Sequence, residues 1–143
     1  MRDIKFRAWD KKKNDCFDDD EGDLYIELNG NINFGWNGEV MDDYTDRVIL
    51  MQYTGLKDKK GVEIYEGDIL KCTSRIYTNL GATGTGEYEE TIEQVIWKDD
   101  SWGTRVISSN LTSKGAEKSG LVISAKYAEV IGNIWEDGDL IDS

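Results

Sequence analysis

Residues 24–36 constrain the fold more than any other stretch of this chain. Leu24, Ile26 and Leu28 recur at every second position, and so do Ile32, Phe34 and Trp36. Successive side chains of a β-strand point to opposite faces, so each triplet shares one face. Asn29-Gly30-Asn31 separates the two runs, and Asn-Gly favours a tight reversal. A two-residue turn at Asn29-Gly30 would set Leu28 against Asn31 and Glu27 against Ile32, apolar against polar. A three-residue turn, Asn29-Gly30-Asn31, pairs Leu28 with Ile32, Ile26 with Phe34 and Leu24 with Trp36. Burial selects register, so the second arrangement is expected, as an antiparallel hairpin.

Short strand-like runs recur along the rest of the chain. Residues 4–9 alternate, with Ile4, Phe6 and Ala8 on the expected buried face and Trp9 on the outer one. Residues 47–53 are apolar on both faces for most of their length and predict a central strand. Asp58-Lys59-Lys60-Gly61 places Asp first and Gly fourth, as a type I turn prefers. Residues 62–65 and 69–72 are extended, broken at Gly67-Asp68. Residues 87–97 fit either a helical stripe or a strand. The Asp99-Asp100-Ser101 turn and the run from Trp102 to Ile107 favour a hairpin. Leu121-Val122-Ile123 and residues 128–135 read as two more strands, and the polar piece 112–118 as the remaining helical candidate. Little helix is expected.

The chain has 143 residues and 15 aromatic ones (Trp 5, Tyr 7, Phe 3), enough for a packed core in one domain. Its net charge is −12, spread over both halves. That sign repels phosphate backbones and anionic membrane surfaces, so nucleic acid and membrane are not expected partners. Cys16 and Cys72 are far apart and form no CxxC, which speaks against a disulfide scaffold or a thiolate metal site. With no signal-like apolar run at residues 1–13, a reducing cytoplasm is the expected compartment.

Chemistry has few candidates. The chain contains no histidine, the commonest general base and metal ligand. The segment Gly81-Ala82-Thr83-Gly84-Thr85-Gly86 lacks the lysine of a phosphate loop. Glu87 stands in its place, so a mobile hairpin loop is the reading. The acidic run 18–23 fails as an EF-hand loop, because Phe17 and Leu28 fall where oxygen ligands belong. Ser124 and Lys126 would share a strand face at i and i+2, a pair common to any chain of this length. Lys11, Lys12, Lys13, Lys57, Lys59 and Lys60 lie on two predicted turns and read as solvated. The residues point to no catalytic group, no cofactor and no metal site.

Three blocks carry a resemblance: IKFRAWD at 4–10, MQYTGLKDKKGVEIYEGDIL at 51–70, and VIGNIWEDGDL at 130–140. Together they resemble the YopX family of phage and prophage proteins. The resemblance implies a mainly β fold with a small SH3-type barrel, N-terminal β-hairpins and little helix. It divides the single unit 1–143 into a hairpin region at 1–61 and a barrel region at 62–140. Glu66-Gly67-Asp68-Ile69-Leu70 is similar to the lead-in of the first strand of such barrels. The resemblance also implies a bacterial host cytoplasm and self-association into a homo-oligomer, and it supplies no activity and no catalytic residues. The function expected is a non-enzymatic binding or assembly module, with a host protein as a second kind of partner. The alternatives are an acidic mimic of DNA that blocks a host DNA-binding protein and a carboxylate-based hydrolase. Tyr53, Lys57, Asp58 and Tyr65 form the candidate interaction surface, weighed against a structural role for the same block. Trp9, Trp36 and Trp102 are expected to be at least partly exposed, which also favours self-association.

Overall fold

The alternating runs do form strands. The computed structural model describes residues 3–17, 22–78, 83–110 and 113–136. Among the described residues the protein is mainly β, with antiparallel sheets, a curled half-barrel and one short α-helix. It divides into two compact units, Lys5–Gln52 and Tyr53–Ser143, the latter joined by Met1–Ile4.

In the first unit, β1 (Phe6–Asp10) pairs with β2 (Asp15–Cys16) across a turn at residues 11–14. Two further strands, β3 (Asp23–Ile26) and β4 (Ile32–Trp36), form the hairpin, and β5 (Glu39–Asp43) extends it to three strands. Then β6 (Val48–Lys57) begins, and its first half pairs with β1 from Asp10↔Val48 to Phe6↔Gln52. Asp10 is fully buried, and its carboxylate is forked by Arg47, with Nε at 2.9 Å and Nη2 at 2.7 Å. The guanidinium lies 4.3 Å from the Tyr44 ring centre, Tyr44 stacks on Phe34 at 4.9 Å, and Phe34 meets Phe17 edge-on.

Two expectations for this unit need correction. The hairpin forms, but its register is Ile26↔Ile32 and Leu24↔Phe34. Leu28 does not face Ile32; it sits in the turn, fully exposed. Glu27 N–H donates to Asn31 O, and Gly30 N–H donates to Glu27 O, both at 2.9 Å, so the three-residue loop is Leu28-Asn29-Gly30. The last loop position is left-handed, and Gly30 takes it with φ 92°. The predicted loop would have given that position to Asn31. The shift is two residues, so the apolar faces still match. The second correction concerns β1. Trp9 is buried at 4% exposure, while Ile4 and Phe6 are exposed. Burial in β1 rises along the strand: Phe6 is exposed, Arg7 and Ala8 are half-buried, and Trp9 and Asp10, on opposite faces, are both buried.

In the second unit, the far half of β6 pairs with β7 (Glu63–Tyr65). A five-stranded sheet follows, built from β8 (Asp68–Thr78), β9 (Thr83–Lys98), β10 (Ser101–Ser109), β11 (Glu117–Ser119) and β12 (Ala128–Asn133). Its order is β11-β10-β9-β8-β12, all antiparallel. Residues 87–97 are therefore strand, and Gly84 and Gly86 belong to β9 rather than to a loop. Residues 79–82 lie outside the described residues, as do 18–21 of the acidic run. The core is Ile64, Leu70, Cys72, Val95, Leu121, Ala125 and Ala128, with Leu56, Trp102 and Val130 packed on it.

Leu121-Val122-Ile123 is not a strand. It opens α1 (Leu121–Ser124), which runs into a 3-10 turn at Ala125–Tyr127. Gly120, at φ 82°, turns the chain out of β11. Leu121 and Ala125 then share one helical face and enter the core, leaving Val122 and Ile123 outside. The helical candidate at 112–118 is not helical where described, and its end enters β11. Ser124 and Lys126 therefore share no strand face.

The Asp10–Arg47 fork generates a stability prediction. The Arg47 hydrogen bond holds the Asp10 carboxyl below its ordinary value. Stability from it is present above the unfolded pKa, near 3.8, and is lost as pH falls through the lower folded value. Asp10→Ala should cost about 3 kcal/mol at pH 7 in urea unfolding, and should flatten the acid limb of the stability curve. An unchanged midpoint would show that the fork is dispensable.

Candidate functional site

The candidate surface Tyr53, Lys57, Asp58 and Tyr65 resolves into two different things. Tyr53 and Tyr65 are paired across β6 and β7, with ring centres 5.5 Å apart. Lys57 is exposed and paired in register with Glu63. Asp58 is buried, and its carboxylate turns toward backbone. Oδ1 accepts from Lys60 N–H at 2.8 Å and Val62 N–H at 2.9 Å, and Oδ2 accepts from Val130 N–H at 3.0 Å. Burial opposes its ionisation, but these three donors outweigh burial and hold the carboxyl below its ordinary value. Lys59 N–H adds a bond to Ala128 O at 3.0 Å, and Lys60 Nζ lies 2.7 Å from Glu129 Oε1. The Asp58 turn thus clips β12 in place. Lys59 and Lys60 belong to this clip, while Lys11, Lys12 and Lys13 lie in the other unit.

A second site was not anticipated from the sequence. A pocket of about 160 Å³ opens on the inner face of β8 and β9. The pairing Cys72↔Thr91 and Leu70↔Glu93 puts all four side chains on that face. Cys72, Thr91 and Glu93 are buried and make the floor, while Ile123 and Tyr127 are exposed at the mouth. Lys118 stands opposite Thr104 in β11 and reaches across the narrow sheet edge. Its ammonium lies 2.9 Å from Glu93 Oε1, and the Cys72 thiol donates to Glu93 Oε2 at 3.4 Å. Gly103 makes room for β11, because a Cβ there would meet the Lys118 carbonyl oxygen.

Electrostatics couples these three groups. Burial and the neighbouring Glu93 charge push the Cys72 thiol up to about 12. Burial opposes the Lys118 charge, but the bond to Glu93 and its negative charge raise the amine above its ordinary value. At neutral pH the thiol is neutral and the ammonium charged. Such a thiol is a poor nucleophile, since thiolate is the reacting form. Among the described residues, no three His, Cys, Asp or Glu side chains converge so as to hold a metal ion. Within the strand, Thr91, Glu93 and Val95 share one face, and a charged residue there was the available sequence signal. The helix-or-strand ambiguity of residues 87–97 concealed it.

A mainly β protein with this antiparallel plan and this clip matches the family model described as YopX protein, over residues 5–142. The chain belongs to the YopX family. A crystal structure of protein EF1440 from Enterococcus faecalis is similar, with 24% identity, TM-score 0.52 and 99% of each chain covered. The crystal structure of protein yopX from Bacillus subtilis is also similar, with 20% identity, TM-score 0.56 and 98% of each chain covered. At these identities the likeness concerns the fold. No curated protein matches the chain. Among the described residues, no helix is long and apolar enough to cross a membrane.

Two cysteines in such different settings should react differently. Cys16 is exposed and Cys72 buried. Iodoacetamide at pH 8 should label Cys16 within minutes and leave Cys72 unmodified until the protein is unfolded, as read by peptide mass spectrometry. Equal labelling of both thiols in the folded protein would contradict the pocket's electrostatics.

Proposed function

We propose that this chain is a non-enzymatic binding or assembly module, made from a phage or prophage and acting in the cytoplasm of a bacterial host. One observation carries the reading. In the pocket the Lys118 ammonium is paired with Glu93 Oε1, and Glu93 Oε2 accepts a hydrogen bond from the neutral Cys72 thiol. Such an arrangement occupies all three groups with one another and leaves none of them as an activated nucleophile or base. The hydrolase alternative needs a carboxylate free to take or give a proton, whereas both Glu93 oxygens are engaged. The cytoplasmic setting is supported by two cysteines, one exposed and one buried, that are not joined in a disulfide.

Assembly in this reading is with further copies of the chain. Trp9 no longer supports it, but Trp36, Val40 and Met41 are exposed in the first unit and Val122, Ile123 and Tyr127 in the second. Exposed apolar groups of this number favour association. The charge of −12 on each copy opposes it, and salt screens that repulsion beyond about 8 Å. Light scattering at tens of micromolar protein should give a mass above 16.2 kDa, and a higher one at 0.15 M salt than at low ionic strength. A mass of 16.2 kDa in both buffers would overturn the assembly reading.

A further inference from the structure

Strand β5 is held in its sheet at both ends and yet buries none of its side chains. All five residues, Glu39–Asp43, are exposed. It leaves β4 through the two-residue turn Asn37-Gly38, whose φ values of 52° and 84° match the twist of the flanking strands. Gly35 lets it approach, because a Cβ there would meet Glu39 O and the Tyr25 ring. At its far end Tyr44 N–H donates to Ile32 O at 2.8 Å, and Asp43 Oδ1 accepts from Thr45 N–H at 2.9 Å. Tyr44 N–H therefore points toward β4, and Asp43 N–H points to the other edge, where it donates to Asp42 Oδ1 at 2.8 Å. Val40 and Met41 stay 62% and 64% exposed, so the fold gains little from them. Other strands that end a sheet differ. β2, β7 and β11 run two or three residues, the outer edge of β12 is taken by the Asp58 turn, and β3 keeps Leu24 and Tyr25 half-buried. Among the described residues, no strand pairs with the outer edge of β5.

We propose that the open edge of β5 receives an extended, basic segment of a partner protein as a further strand of this sheet. Backbone pairing along such an edge gives affinity, and side chains at alternate positions give specificity. The register places Trp36, Glu39 and Asp42 on one face and Val40 and Asp43 on the other. Each face thus sets an apolar side chain beside carboxylate, and a strand mixing apolar and basic residues complements both. Glu39 has no hydrogen-bond or ion-pair partner among the described residues. Carboxylates alone would suffice to guard an edge against unwanted pairing. Val40 and Met41 beside them add nothing to a guard, and they supply what a docking strand packs on. A second copy fits this edge less well, because it brings the same carboxylates and like charges opposite each other destabilise a pair. The net charge of −12 steers a basic segment toward the protein. An edge already fixed at both ends loses little further freedom on pairing. The proposal rests on the binding reading above and names its partner class.

The test is an NMR titration of the full chain with a short peptide of lysine-lysine-valine-valine repeats, which puts both residue types on each strand face. One control peptide replaces lysine by glutamate. Another carries a methyl on every backbone nitrogen, which keeps the charge and removes backbone donation. The lysine peptide should give saturable shifts and slowed exchange at the amides of residues 39–43, and neither control should. Its binding should weaken from low ionic strength to 0.15 M salt, opposite to the trend expected for self-association. Glu39→Lys, at an exposed position, should weaken it about tenfold. Equal binding of the methylated peptide would reduce the contact to charge alone and overturn the proposal. So would shifts scattered over the acidic surface, or binding unchanged in Glu39→Lys. Slowed exchange at residues 39–43 that grows with protein concentration, without peptide, would give the edge to a second copy and also overturn it. Failure of the peptide to bind, with a mass above the monomer in light scattering, would remove this partner and leave assembly standing.

Discussion

Strand β12 is held in place by a carboxylate 72 positions earlier in the chain, Asp58, whose Oδ2 accepts the Val130 N–H. The second unit depends on this contact. A strand that closes a sheet from far along the chain gains its pairing energy late, after the loop entropy between has been spent. Asp58 offers an anchor already organised by its own turn, because Oδ1 is fixed by Lys60 and Val62 before β12 arrives. Burial of a carboxylate is unfavourable in itself. Three donors, each with one backbone N–H, offset it, and bonds of this kind to a charged group are the stronger sort. Removing the side chain would leave the donors without acceptors in a half-closed site, so the clip is costlier to lose than any one of its bonds.

The pocket shows the same principle with a different outcome. Glu93 lies on the inner face between Thr91 and Val95, where an apolar residue would pack without cost. Its charge is tolerable because Lys118 reaches it with a half-exposed stem, keeping part of the ammonium in water. Cys72 then becomes a donor rather than a nucleophile, because the nearby negative charge opposes a second one. A buried ion pair of this kind is weak evidence for stability.

How much of this was legible in the sequence can be argued residue by residue. Alternation tells which side chains share a face, and it did so for Leu24, Ile26, Ile32 and Phe34. It does not say where the turn sits, which was decided by Gly30 taking the left-handed position. Nor does it say which face points inward. Ile4, Phe6 and Ala8 looked like the buried set, yet Ile4 and Phe6 are exposed and burial is reached only at Trp9 and Asp10, one on each face. Leu121-Val122-Ile123 is too short for periodicity to separate a strand from one helical turn. The core made the choice by accepting Leu121 and Ala125 together. Glu93 was hidden because its neighbours fit two periods at once.

The blocks that marked the family share a physical character that composition does not reveal. Each contributes a buried polar side chain: Asp10 from the first, Asp58 and Asp68 from the second, Asn133 from the third. Asp68 accepts the Tyr65 N–H at 2.8 Å, and Asn133 accepts those of Trp135 and Glu136 at 3.0 and 2.8 Å. A carboxylate or amide that satisfies backbone donors tolerates few replacements, so such residues spell a fold legibly. Cys72, Glu93, Lys118 and Tyr127 all lie in the stretch between the second and third blocks. There the sheet asks for little beyond alternation, so no single side chain spells the fold as the clips do. A shared fold by itself does not give a shared function.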